Sequence, residues 1–502
     1  MWSAALMLAV VSGRFSTEQI GAVTWGPTSD IRAMAIAISN LEFGLKGGLA
    51  YRAVVQSLAD TITSKKSDID VNDERTRELT SNPAVVSKAI RAAAATPRDQ
   101  IEPDYLHELA EDDGYSDFYK IAFQIFGYDA YSTRALYLTI LGLSWAIFVL
   151  VYFRENIALA ALALDSSAMF LLTSCPALFS SGMPSLAANR FLWTLALIPF
   201  LHILIGILIS RPLKYSELAA ILAQILLGLV AIRARLTGEW CIIAILVTGI
   251  FIIARNGRQW RRSLRCGTVL AMVMIAAIAV KEAENATLDS SYFTDDYLPH
   301  HLVWHSAFLG LSLHPEWPKH KPYPELPDAL SDTIAFASFE HVMKAKGLPF
   351  VSSEGLHKFR LHDEIIKQVF TQFALDNPRY MAELYLWYKP MYLVMTFQYV
   401  WTASASILGL LVFAVTVGIC SLLFKGGLSG YIRGSLLAVP ILFACSLLPG
   451  EWAYAVIDQA WSSLFVAQAI IAAASAMTIA KRAVQVSPVA TTGVSVEKTR
   501  ST

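Results

Sequence analysis

"RNGRQWRRSLRCGTVLAMVMIAAIAV", Arg255 to Val280, sets five arginines within eleven residues directly against a charge-free apolar run. A membrane span needs roughly 20 mostly apolar residues, and short loops rich in Lys and Arg stay on the cytoplasmic side. The stretch therefore reads as a cytoplasmic loop feeding a transmembrane helix. Composition agrees: of 502 residues, 55% are hydrophobic and only 16% charged, and mean hydropathy is +0.48, outside the balance of soluble globular chains. Lys plus Arg and Asp plus Glu are both 40, so no basic excess invites a nucleic-acid partner. The partner that composition does imply is the lipid bilayer.

Counting outward from the arginine loop, nine apolar segments qualify as spans: 135–153, 157–179, 191–210, 217–232, 238–254, 266–281, 403–424, 432–449 and 456–480. The N-terminal "MWSAALMLAVVSG" is too short for a span and lacks the basic flank of a signal peptide. It reads as the truncated end of a first helix that starts upstream. The expected fold class is all-α, a polytopic integral membrane protein of about nine to ten transmembrane helices with two large extracytoplasmic loops. The expected divisions are a partial helix (1–12), a first outer loop (13–134), a six-helix membrane region (135–281), a second outer loop (282–390), an interfacial helix with three spans (391–480), and a tail (481–502). Arg154, Arg211, Lys214, Lys425, Arg433, Lys481 and Arg482 all fall on the side of the arginine loop, which puts the C-terminus in the cytoplasm. Both long loops then share the opposite face.

One loop breaks the pattern, because Arg233 and Arg235 in "AIRARLTGEW" fall on the outer face. Snorkelling to headgroup phosphates accounts for them. So does a pocket for a lipid-linked phosphate, to which Arg offers a planar fork of donors. Inside the spans, Asp165, His202 and Gln224 are the notable polar residues; Asp165 reads as a helix-to-helix hydrogen bonder with His202 as one candidate partner. The five cysteines show no paired spacing and read as small core residues.

The second outer loop holds eight of the ten histidines, so it is the other place to look for chemistry. In "HHLVWHSAFLGLSLHPEW", His301 and His305 stand four apart, a spacing that sets both imidazoles on one helix face, with His300 turned about 100° away. The intervening residues are not those of a zinc protease. Asp295 and Asp296 upstream leave room for a divalent cation. Contact with a phosphate or sugar and a purely structural interfacial segment are the other two readings. Farther on, "YLWYKPMYLVMTFQYVW" reads as an aromatic interfacial or re-entrant helix broken at Pro390.

"EDDGYSDFYKIAFQIFGYDAYSTRALYLTILGLSWAIFVLVYFR", Glu111 to Arg154, combines an acidic turn, an aromatic amphipathic helix ending in "FG", a polar bend and a span. It resembles the end of the first outer loop in C-type-fold membrane glycosyltransferases, and "TSDIRAMAIAISNLEFG" with Asp30 is similar to the acidic segment after their first span. "HHLVWHSAFLGLSLHPEW" also resembles a stretch of uncharacterised bacterial membrane proteins of this layout. The resemblance covers about the first 160 residues and the overall layout. It implies transfer of a sugar from a polyprenyl-phosphate carrier to a glycan, lipid or protein acceptor, on the outer face of a bacterial inner membrane. On that reading Asp30, or one of the acidic cluster Asp112, Asp113 and Asp117, supplies the base. Arg190, Arg233 and Arg235 hold the carrier phosphate, and His300, His301 and His305 contact substrate. The chain departs from the pattern in lacking an Asp-X-Asp after its first span and any acid in "SSGMPSLAANR". A transporter or flippase of a lipid or small solute is the rival class, and a polymerase or ligase of O-antigen type is another.

Overall fold

The structure is a computed structural model that describes residues 28–63, 83–101, 105–106, 113–152, 192–209, 213–234, 239–255, 260–289, 303–329, 331, 333–348 and 359–389. Helix takes up 83% of them and strand almost none, so the all-α class holds. Three helices are long and apolar enough to cross a membrane. The expected spans 157–179, 403–424, 432–449 and 456–480, the N-terminal run and the tail lie outside the described residues.

The first region begins with α1 (Thr28–Phe43). Its stretch from Ala33 to Ser39 is buried without interruption, as expected of a helix whose apolar residues are not confined to one stripe. Around it lie α2 (Arg52–Thr63), α3 (Pro83–Ala94) and α4 (Asp113–Phe126). A short antiparallel pair, β1 (Ala50–Tyr51) with β2 (Tyr105–Leu106), sets Ala50 against Leu106, and the Ser39 hydroxyl accepts the Tyr51 N–H at 3.1 Å. The expected polar outer loop thus holds a hydrophobic core of its own.

α4 stops at Gly127, whose φ of +82° is open to glycine at little cost and whose N–H closes on the Phe123 carbonyl at 2.9 Å. Asp129 then accepts the Tyr131 N–H at 3.0 Å, and α5 (Ser132–Tyr152) begins. α3 pins this bend: Arg91 donates to Asp129 at 2.5 Å, and the Ser87 hydroxyl accepts the Ala130 N–H at 3.1 Å.

α5 is followed by α6 (Leu197–Leu208), α7 (Tyr215–Ala234), α8 (Glu239–Arg255) and α9 (Trp260–Asn285). α5, α7 and α9 are the three long apolar helices; α6 and α8 are shorter apolar ones. α6 is buried along nearly its whole length, so it is the helix the others surround. Glycine permits close crossings: a side chain at Gly206 would meet Ile221, and one at Gly249 would meet Leu270. On the outside, Leu138, Leu150, Leu226, Ile250, Phe251 and Ile275 are all exposed. So much exposed apolar side chain on long helices suits hydrocarbon rather than water.

The second region is compactly helical. α10 (Val303–Leu309) runs through a 3₁₀ turn into α11 (Trp317–His320), then α12 (Thr333–Ala345) and α13 (Phe359–Asp376). α14 (Pro378–Glu383) opens with proline at its first turn and continues as a single π turn over Leu384–Tyr388. Phe308, Trp317, Ile334, Phe339, Ile366 and Leu384 are fully buried among these helices. The expected interfacial helix from Met391 onward lies outside the described residues.

Candidate functional site

The first turn of α4 packs against the last turn of α7. A Cβ at Gly114 would run into the carbonyl of Arg233, so the close approach depends on glycine. One turn farther along α4 sits Asp117, half-buried. Burial raises its carboxyl pKa above the ordinary value, and Lys120 and Arg233 pull in the other direction without cancelling the effect. Arg233 forms an ion pair with Glu284 near the end of α9, with 21% of the arginine side chain and 7% of the glutamate side chain exposed. Among the described residues, Glu284 Oε1 and Arg233 Nε have no hydrogen-bond partner.

Four ionisable side chains are thus linked around the C-terminal end of α7: Asp117 of α4 interacts with Lys120 and Arg233, and Arg233 pairs with Glu284 of α9. Two further contacts tie α1 to its neighbours. The chain after α1 bridges to the chain after α9, Gly47 N–H donating to the Thr287 carbonyl at 3.1 Å. The Tyr128 hydroxyl donates to Glu42 near the end of α1. α1 packs on α4, and this link joins their C-terminal ends, so the two run in the same sense. Asp30, in the first turn of α1, and Asp113, the first residue of α4, therefore share one end of that pair.

Of the residues expected from sequence, the structure draws Arg233 and the helix that starts at Asp113 into one place. The carboxylates of Asp30 and Asp113 are not among the described side chains. Asp112, Arg190, Arg235, His300 and His301 lie outside the described residues. Lys120 and Glu284 were not anticipated. Glu284 carried a signal all the same: it stands in "KEAEN" at the end of an apolar run, on the same expected face as Arg233.

His305 belongs to a different setting. It lies on α10, 7% exposed, with its Nδ1 3.0 Å from Nε2 of His362, itself buried on α13. Phe336 packs against both rings. The neighbouring Asp363 accepts the Trp304 N–H at 2.8 Å and so caps the start of α10. His314 is also buried: Nδ1 accepts the Glu316 N–H at 3.1 Å, the ring stacks on Tyr380 at 4.0 Å, and Nε2 faces Glu383 at 3.4 Å. Burial lowers the His314 pKa, outweighing Glu383 and Glu316, which raise it. His341 stacks on Tyr323 and pairs with Glu325. Among the described residues, no group of three His, Cys, Asp or Glu is placed to hold a metal ion.

Within the apolar helices, Gln224 donates to the Ser144 carbonyl at 2.8 Å and lies 3.3 Å from Nδ1 of His202. Phe148 and Tyr152 close over that imidazole. Of the polar residues singled out in the spans, His202 and Gln224 therefore meet each other beside the Ser144 carbonyl of α5; Asp165 lies outside the described residues. Cys241 and Cys266 are buried, and the Cys266 thiol donates to the Gly249 carbonyl at 3.4 Å.

No family model, curated protein or solved structure matches the chain.

Proposed function

We propose that the chain is a polytopic membrane glycosyltransferase that takes a sugar from a polyprenyl-phosphate carrier at the outer face of a bacterial inner membrane. The observation that carries the reading is the convergence of Asp117, Lys120, Arg233 and Glu284 where α4 meets the ends of α7 and α9. In this topology the arginine loop between α8 and α9 is cytoplasmic, so Arg233 and Glu284 stand at the outer headgroup level.

An inverting transfer needs a base beside the acceptor hydroxyl and cations beside the departing phosphate. Asp117 is the base. Its raised pKa makes the carboxylate a better proton acceptor than an ordinary Asp. The acceptor oxygen attacks the anomeric carbon and passes its proton to Asp117. The bond from that carbon to the phosphate oxygen breaks, and its electron pair leaves with the polyprenyl phosphate. Arg233 and Lys120 offset the charge that develops there. Glu284 holds Arg233 until the carrier arrives, and the phosphate then takes the place of the carboxylate at the guanidinium. The acceptor is a glycan, lipid or protein hydroxyl.

The test is release and transfer of label from radiolabelled polyprenyl-phosphate sugars by the purified chain in lipid. Asp117→Asn is expected to lower transfer by roughly 100-fold or more, the range for loss of a general base. Arg233→Ala is expected to weaken donor use as well. A folded wild-type protein that turns over none of a broad set of such donors would sink the reading.

A further inference from the structure

Between α3 and the bend that joins α4 to α5 lies an open cavity of about 770 Å³. Its polar lining is Ser87, Lys88 and Arg91 of α3 with Asp129 and Tyr131 of the bend. Arg91 and Asp129 are held in place before any ligand arrives. One Asp129 oxygen accepts from Arg91 at 2.5 Å and the other accepts the Tyr131 N–H at 3.0 Å, while Arg91 Nε donates to the Tyr128 carbonyl at 3.2 Å. Both stay accessible, with 65% of the Arg91 side chain and 29% of the Asp129 side chain exposed. A fork of donors and an acceptor carboxylate therefore stand side by side in the cavity wall, with little ordering entropy left to lose on binding.

The chemistry of this lining identifies the occupant. Tyr131 is 51% exposed, and an aromatic face, negative at its centre, attracts the weakly positive C–H side of a sugar ring. The fixed Arg91–Asp129 pair suits hydroxyls, each of which both donates and accepts. Lys88, one turn before Arg91 on the same face of α3 and also exposed, brings the lining to two cations against one carboxylate. The apolar members, Pro83, Ala84 and Ala92, are small, and give an acyl chain no long side chain to lie on. We propose that this cavity binds a glycan that carries an acidic sugar, its ring on Tyr131, its hydroxyls on Arg91 and Asp129, and its carboxylate beside Lys88.

Asp117 lies nine residues before the end of α4, about 14 Å along the helix axis, so a glycan seated here can extend along α4 toward the proposed base. As an acceptor subsite the cavity rests on the transferase reading; as a glycan site it does not. Binding is therefore measured without a sugar donor, on the full chain in lipid nanodiscs. The acidic probes are tetragalacturonate, tetramannuronate and a chondroitin tetrasaccharide, with maltotetraose as the neutral sugar and tetraphosphate as a polyanion without sugar. An acidic oligosaccharide is expected to bind more tightly than maltotetraose or tetraphosphate, and to protect peptides of α3 and of residues 127–131 from hydrogen exchange. Tyr131→Ala should weaken it about five-fold, and Lys88→Gln about two- to five-fold, the range for an exposed ion pair. Tyr215→Ala, which removes an exposed ring at the start of α7, should leave binding intact. The unfolding midpoint checks that each variant folds; should Tyr131→Ala not, the charge reversal Lys88→Glu carries the test, with an expected loss of about five-fold. Binding of no acidic oligosaccharide, an unchanged affinity in the Tyr131 and Lys88 variants, or equal binding of tetraphosphate would overturn the proposal. Glycan binding without transfer from any donor would uphold the site and sink the transferase reading, whereas transfer with an acceptor KM unmoved by Tyr131→Ala would overturn the acceptor subsite.

Discussion

The two helical regions spend their ionisable residues in opposite ways. Around Arg233, charges from three helices converge, and one of the two acids among them, Asp117, is partly buried with a raised pKa. Between α10 and α14, histidines are more numerous yet already engaged: His305 by His362, His314 by Glu316, Tyr380 and Glu383, His341 by Tyr323 and Glu325. A residue's chemical type therefore says less about reactivity than whether its own core has already used its donors and acceptors. On the proposed reading the charged junction exchanges a partner, whereas the histidines are engaged in packing.

The largest expected effect separates these roles at Glu284. Breaking a largely buried ion pair from one side leaves the other charge uncompensated and costs about 3 kcal/mol or more. Glu284→Ala should lower the unfolding free energy of the membrane region by that amount, whereas Arg233→Met/Glu284→Leu should recover most of it. A double variant as unstable as the single one would show that the pair is not the unit it resembles. Next comes Gly114→Val. The new side chain must displace the Arg233 backbone, at a cost of about 2 kcal/mol. It should prise α4 from α7, suppress transfer and leave the protease resistance of residues 303–389 unchanged.

Smaller effects probe the histidine side. Removing the His305–His362 contact with His362→Phe strands a buried polar atom and should cost about 1–2 kcal/mol in thermal unfolding, while sugar transfer by folded protein stays at the wild-type rate. A selective loss of transfer would move His305 and its neighbours into the site and erase the contrast. Trp317→Phe keeps most of the ring's packing but leaves the Pro327 carbonyl without the indole donor at 2.9 Å, with an expected cost of about 1 kcal/mol.

Apolar length made the apolar helices legible in the sequence: the expected 217–232 and 238–254 coincide with α7 and α8 to within a residue or two. The end of α4 was equally readable from "FG", because glycine there accepts a positive φ. What composition concealed was the order within the outer segments. "IRAMAIAI" carries no helical stripe, and only packing against α4 explains why nearly all of it is buried. The charged junction was half legible. Arg233 stood out by violating the distribution of positive charge, but Glu284 and Lys120 lie 51 and 113 residues from it in sequence, and no local pattern joins them. The histidines misdirect for the converse reason: their spacing suggests a shared ligand, while the partners of His305 and His314, His362 and Glu383, come from helices 57 and 69 residues away.

Proton linkage offers the finest discrimination, because the two regions carry shifts of opposite sign. The raised pKa of Asp117 means that the folded state holds its proton more tightly than the unfolded chain does. Its contribution is most favourable at low pH and declines as pH rises from the ordinary value of 3.8 through the raised one. His314 is lowered from 6.5 and Glu383 from 4.5, so the unfolded chain takes up protons there before the folded chain does. Their contributions are complete above the unfolded values and are lost as pH falls through the folded ones. Lys389, buried and pushed down to about 7, adds the same sign between pH 7 and 10.5. Hydrogen exchange, corrected for the intrinsic pH dependence of the amide rate, should therefore show peptides of α10–α14 losing protection as pH drops below 6.5. Peptides of α4 should hold theirs or gain in the acid range, and Asp117→Asn should flatten that response without touching the other region. Parallel acid loss in both regions would mean that the junction carboxylate is an ordinary surface acid, and the physical basis for making it the base would go with it.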